Sequence, residues 1–304
     1  MKIGIPRALL YYWYGHEWES FWRDCGVEVV VSGPTDRSTI EDGAKVALDE
    51  LCLPVKIFLG HVIKLAKRVD RIMIPHLIKV EPNAYICPKF MGLPDVVRHT
   101  LPELVDQLLI VKVGPKQVDQ FKAMQTAAGQ LGIKIKNQKS KVTGLNPALK
   151  CLNNLSKDRT HHQLTIGILG HPYCVYDSCF NLNLLKRLTE NNVNIITPEM
   201  LPESCRGIGA GKLEKELFWT VGRYQFDALE WMLHGAETQI DGFIQVMPFA
   251  CGPEAIVGDL LERRIKQAGK PLLKLSYEEH SGEAGVITRL EAFLDLIRYR
   301  SKVC

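Results

Sequence analysis

Short apolar runs rich in β-branched residues alternate along the chain with longer stretches of helical spacing. This alternation predicts parallel sheets covered by helices, since a parallel crossover needs a dozen or more residues between paired strands. Strands are predicted at 2–5, 27–31, 71–75 and 107–111 in the first half. In the second half they fall at 164–169, 193–197, 241–247 and 271–275. The stretch 134–162 is basic and polar with little periodicity, apart from one short strand predicted at 133–135. The reading is therefore an N-terminal α/β domain over 1–140, a linker region over 141–163 and a C-terminal α/β domain over 164–304.

The two halves open alike. Lys2-Ile-Gly-Ile-Pro leads into an aromatic segment and then Val27-Glu-Val-Val-Val-Ser-Gly-Pro, whereas Thr165-Ile-Gly-Ile-Leu-Gly-His-Pro leads to Val193-Asn-Ile-Ile-Thr-Pro. In each, a strand ends at Gly or Pro, a helix crosses over, and a second strand ends at proline. The fold class expected is α/β, two doubly wound domains with an approximate internal repeat. Ligands in such sheets bind beyond the carboxyl ends of the strands, so a cleft between the domains is the expected site. The aromatic segment 11–22 has a spacing that suits packing of a helix on the sheet, and it is read as core.

Composition narrows the partners. The formal net charge is +4 over 304 residues and the basic residues are scattered, which disfavours a nucleic-acid stripe. No apolar run approaches the roughly 20 residues that span a bilayer, and the first residues lack a signal peptide's apolar stretch. A cytoplasmic protein with no membrane partner is expected. The segment Gly207-Ile-Gly-Ala-Gly-Lys lacks the spacing of a phosphate-binding loop, so no ATP hydrolysis by this chain itself is expected.

Nine cysteines stand out in such a chain, because a reducing compartment disfavours structural disulfides. Three share a local grammar. Cys52 sits in Leu-Cys-Leu-Pro, Cys87 in Ile-Cys-Pro and Cys251 in Ala-Cys-Gly-Pro, each with proline within two residues. Proline suits a first helical turn, so Cys52 and Cys251 are placed at helix N-termini, where the dipole should stabilise a thiolate. These three are the expected metal and cofactor ligands. Burial as small apolar residues is the competing reading, and zinc or thiol-redox chemistry is the alternative to iron–sulfur ligation. Cys25 is read as core, Cys205 and Cys304 as incidental, and Cys151 as part of the linker. Cys174 and Cys179 flank Val-Tyr-Asp-Ser after a strand, where one could supplement a metal site.

Those segments also carry a resemblance. Ile3-Gly-Ile-Pro-Arg-Ala-Leu-Leu-Tyr-Tyr, Glu50-Leu-Cys-Leu-Pro-Val-Lys, Cys87-Pro-Lys-Phe-Met-Gly-Leu-Pro-Asp, Cys251-Gly-Pro-Glu and Glu279-His-Ser-Gly-Glu-Ala-Gly resemble the stand-alone relatives of the 2-hydroxyacyl-CoA dehydratase D-component. The resemblance implies Rossmann-like domains with an iron–sulfur cluster bound between them by Cys52, Cys87 and Cys251. That cluster would be [4Fe–4S], with a double-cubane cluster as the alternative. It also implies a partner, an activator ATPase with an actin-like fold, and an anaerobic setting. The family pattern does not require Cys174 or Cys179.

The function expected is an iron–sulfur redox protein that accepts low-potential electrons from the activator to reduce or dehydrate a small substrate. The alternative is a non-catalytic electron-transfer or cluster-carrier protein; a homodimer is one assembly open to it. The catalytic candidates are His280, Glu279 and Tyr173. Glu279, His280 and Glu283 combine carboxylates with an imidazole beyond the last strand, which suits proton donation. The competing reading is a cap and salt bridge opening the helix predicted at 284–299. His171 and Tyr173 occupy in the second half the position of Arg7 in the first, and Arg7 could face an anion.

Overall fold

A computed structural model describes residues 1–81, 83–114, 119–135, 164–209, 211–235 and 239–303, with side chains to 300. The chain divides into two units, Met1–Asn146 with Phe218–Thr220, and Pro147–Leu217 with Val221–Cys304. The linker region expected at 141–163 lies outside the described residues.

In the first unit the order is β1 (Lys2–Ile5), α1 (Tyr11–Asp24), β2 (Glu28–Val31), α2 (Arg37–Val46), α3 (Leu53–Ala66) and β3 (Arg71–Leu77). It continues with α4 (Pro88–Met91), α5 (Leu93–Thr100), β4 (Leu108–Val113) and α6 (Gln120–Gln130). The second has β5 (Thr165–Gly170), α7 (Pro172–Val175), α8 (Leu184–Glu190), β6 (Asn194–Ile196), α9 (Thr220–His234), β7 (Gly242–Pro248), α10 (Gly252–Gln267), β8 (Leu272–Tyr277) and α11 (Glu283–Val303). The eight strands lie where the apolar runs predict them. Residues 133–135 are an exception: they form no strand, and the Ile133 N–H turns back to the Ala128 carbonyl at 3.0 Å.

Each sheet has four parallel strands, ordered β2-β1-β3-β4 and β6-β5-β7-β8. The switch of direction falls between β1 and β3, and between β5 and β7. These are two Rossmann-like domains, and in such sheets the residues that follow the two central strands form the binding edge.

Helix α1 turns Tyr12, Trp13, Trp18, Phe21 and Trp22 inward; each aromatic side chain so buried contributes roughly 1.5–3 kcal/mol. Helix α3 is buried almost all round, from Leu53 to Val62 and at Leu65. Its approach to α2 is set by two glycines. A Cβ on Gly43 would meet the Lys56 carbonyl oxygen at 1.8 Å, and one on Gly60 would meet the Thr39 oxygen at 1.9 Å. Only glycine permits backbone to meet backbone this closely. That contact seats the start of α3, and so Cys52.

Candidate functional site

In the first unit Cys52 is the N-cap of α3 and Cys87 the N-cap of α4, with proline in the first turn of each helix. Of these two, sequence reasoning put only Cys52 at a helix start; Cys87 shares the role because Pro88 opens a turn directly after it. Cys52 is 7% exposed, and Cys87 is half-buried. The two thiols are near enough to influence each other electrostatically.

Burial pushes the Cys52 thiol up, against the Lys89 charge, the Val55 and Cys52 N–H groups and the Lys56 charge. Burial also raises Cys87, against the N–H groups of Lys89 and Phe90 and the Lys89 charge, while neighbouring Cys52 raises it further. The expectation that helix N-termini would yield a ready thiolate is therefore corrected. Desolvation outweighs the dipole and the lysines. Both groups are thiols in the metal-free chain, and a metal would have to displace their protons.

The loop carrying Cys87 is clipped at its start. Tyr85 donates its N–H to the Phe218 carbonyl at 3.0 Å and accepts from Thr220 N–H at 2.8 Å. The Tyr85 and Phe218 rings stack with centroids 4.9 Å apart. On the other side, Lys89 Nζ donates to the Glu50 carbonyl at 2.8 Å, tying the Cys87 helix to the segment before Cys52. Arg7 follows β1; its N–H donates to Ser32 Oγ at 2.7 Å, and its Nε is buried without a hydrogen bond among the described residues.

In the second unit Cys251 follows β7 and is the N-cap of α10. It is 8% exposed. Ala250 before it sits at φ +60°, a left-handed conformation that costs a non-glycine residue roughly 1–2 kcal/mol. The turn aims Cys251 at a buried polar cluster. His171, which follows β5, has Nε2 at 3.9 Å from Cys251 Sγ and 3.1 Å from Glu254 Oε2. Glu254 also accepts from Gln225 Nε2 at 3.0 Å and from Gln245 Nε2 at 3.2 Å. A Cβ on Gly258 would strike Gln245 Nε2 at 2.2 Å, so that glycine makes room for the amide. Burial pushes the His171 imidazole down, against the Glu254 charge.

Sequence reasoning did not find Gln225, Gln245 or the role of Glu254. A signal existed for Gln245, a lone polar residue amid the apolar strand Gly-Phe-Ile-Gln-Val-Met. Tyr173, a catalytic candidate, is buried and stacks on His171 with centroids 5.0 Å apart. The other candidates lie in the turn after β8: His280 is exposed and Glu279 half-buried. Glu283 opens α11, one residue before the predicted start, and pairs with Arg187. This agrees with the salt-bridge part of the competing reading for Glu283. Cys174 is fully buried in α7, Cys205 is buried, and Cys25 follows α1. Among the described residues, no group of three or more His, Cys, Asp or Glu is gathered to hold a metal ion.

Residues 2–201 match the family described as CoA enzyme activase uncharacterised domain (DUF2229). The chain belongs to this family. The match includes Cys52 and Cys87 and stops short of Cys251. It links the chain to the CoA enzyme activase system. No curated protein matches the chain. Among the described residues no helix is long and apolar enough to cross a membrane.

Proposed function

We propose that this chain is an iron–sulfur redox component of the activator–dehydratase type, related to the 2-hydroxyacyl-CoA dehydratase D-component. It takes low-potential electrons from an ATP-dependent activator of actin-like fold and uses them to reduce or dehydrate a small substrate. The observation that carries this reading is Cys52 and Cys87 as the N-caps of two helices opened by proline, tied together by the Lys89–Glu50 hydrogen bond, within the segment that matches the activase family.

The donor chemistry fits the cofactor. Soft thiolates select iron–sulfur clusters and zinc over hard cations. Cys52, Cys87 and Cys251 would hold it, as [4Fe–4S] with a double cubane as the alternative. When bound, such a cluster supplies one-electron chemistry at low potential. The chain's own residues do the rest. The Val55, Lys89 and Phe90 N–H groups and the Lys89 charge favour the deprotonated sulfurs, and burial keeps water from Cys52.

Anaerobic purification with iron and sulfide quantification and EPR tests the reading. About four irons per chain are expected for a cubane or about eight for a double cubane. Cys52→Ala, Cys87→Ala and Cys251→Ala should each lose most of the cluster absorption, whereas Cys25→Ala should not. Zinc without iron in the wild-type protein would refute the proposal.

A further inference from the structure

We propose that His171 is a positioning residue for the thiol of the second unit. Its Nε2–H donates to the Cys251 sulfur once that sulfur is a thiolate ligand, and the Glu254–Gln225–Gln245 network fixes which ring nitrogen carries the hydrogen. The inference rests on the iron–sulfur reading above.

With Glu254 as a carboxylate, the network leaves one arrangement of hydrogens. Both oxygens of Glu254 accept amide N–H groups, from Gln225 on Oε2 and Gln245 on Oε1. A carboxylate that accepts on both oxygens needs a donor from its third partner, so His171 Nε2 bears the hydrogen. A neutral imidazole then has a bare Nδ1, and that atom is buried without a hydrogen bond among the described residues. Stacking on Tyr173 holds the ring plane.

The same nitrogen lies 3.9 Å from Cys251 Sγ, the outer reach of a bond to sulfur. A thiolate is a stronger acceptor than a thiol, and charge-assisted bonds are shorter. Metal ligation at Cys251 would therefore draw the Nε2–H into a bond shared between Glu254 and sulfur. The geometry does not suit a nucleophilic triad. There the carboxylate and the sulfur address opposite ring nitrogens, whereas here both address Nε2.

Hydrogen bonds to the ligand sulfurs help set the potential of an iron–sulfur centre. A donor stabilises the added negative charge of the reduced form, so its loss moves the midpoint to more negative potential. The experiment is an EPR-monitored redox titration of the full-length anaerobic protein as wild type, His171→Leu and His171→Gln. Pulsed EPR of the wild type labelled with ¹⁵N-histidine accompanies it.

His171→Leu should keep its iron and titrate at a more negative midpoint, and His171→Gln, whose amide restores an N–H, should return toward the wild-type value. The reduced wild type should show a weak histidine nitrogen coupling and an exchangeable proton. An unchanged midpoint in His171→Leu with full iron content overturns the inference. If that variant does not fold, the nitrogen coupling in the wild type decides, its presence supporting the inference and its absence overturning it. Wild-type protein without iron refutes the cluster reading itself and the inference with it, which separates the two failures.

Discussion

The two units share strand order and differ in what surrounds their thiols. Cys87 follows β3 and Cys251 follows β7, the same place in each sheet, and each caps a helix opened by proline in its first turn. Around Cys52 and Cys87 the largest influence is burial, opposed by lysine charges and backbone N–H groups. Around Cys251 there are an imidazole and, behind it, a buried carboxylate held by two glutamines. One scaffold thus carries two thiols in a cationic setting and one in a network of opposite charge. A repeat preserves the place of a residue along the sheet edge but not its electrostatics, which side chains from several elements supply.

The largest effect should come from emptying the second unit's network. Glu254→Ala leaves the amides of Gln225 and Gln245 and the His171 N–H buried without their acceptor. A loss of about 3–5 kcal/mol is expected, read as faster hydrogen exchange in peptides of the second unit. Equal loosening of the first unit would break the comparison, since it would show that the two cores do not stabilise independently.

Gly60→Ala should act on the first unit instead. The added Cβ meets backbone rather than a movable side chain, so α2 and α3 must separate at a cost of about 1–3 kcal/mol. Denaturant unfolding followed by exchange in peptides around 37–66 checks it. An unaffected variant would mean that the approach of these helices does not seat Cys52.

Acid should reveal His61. Burial pushes this imidazole down from 6.5 to about 4, helped by the Lys64 and Arg7 charges and opposed by Asp36. The unfolded chain then binds more protons between those values. The stability that neutral His61 contributes is full above about pH 6.5 and is lost as pH falls toward about 4. The slope is at most about 1.4 kcal/mol per pH unit for one proton. His61→Gln should flatten this dependence in the first unit and leave it in the second, where His171 is also lowered. An unaltered profile in the variant would assign the acid sensitivity elsewhere.

The smallest effect expected is at Asp36, whose carboxylate accepts from Thr39 N–H at 2.8 Å and caps α2. Asp36→Ala should cost about 1 kcal/mol. The bond to Lys64, then the cap bond to Thr39, hold the Asp36 carboxyl well below the usual range. Its contribution is therefore present above the unfolded value of 3.8 and fades only at lower pH. A urea midpoint that stayed in place at pH 7 would remove the cap from the account.

Much of this architecture was legible in the order of residues. The eight strands, the two sheets and the packing role of Tyr11–Trp22 follow from periodicities that the backbone imposes on any chain, so a local pattern suffices. The Cys-to-Pro spacing likewise placed Cys52 and Cys251 at helix starts, because proline in a first turn is a local preference. The tertiary structure decided what no local rule contains. It placed His171 from the end of β5, Gln225 from α9 and Gln245 from β7 around the Glu254 carboxylate of α10, although they lie up to 83 positions from it in sequence. It also set the sign of the thiol shifts at Cys52 and Cys87. A helix N-terminus can be read from sequence, whereas desolvation depends on every element packed over the sulfur, and here it prevails.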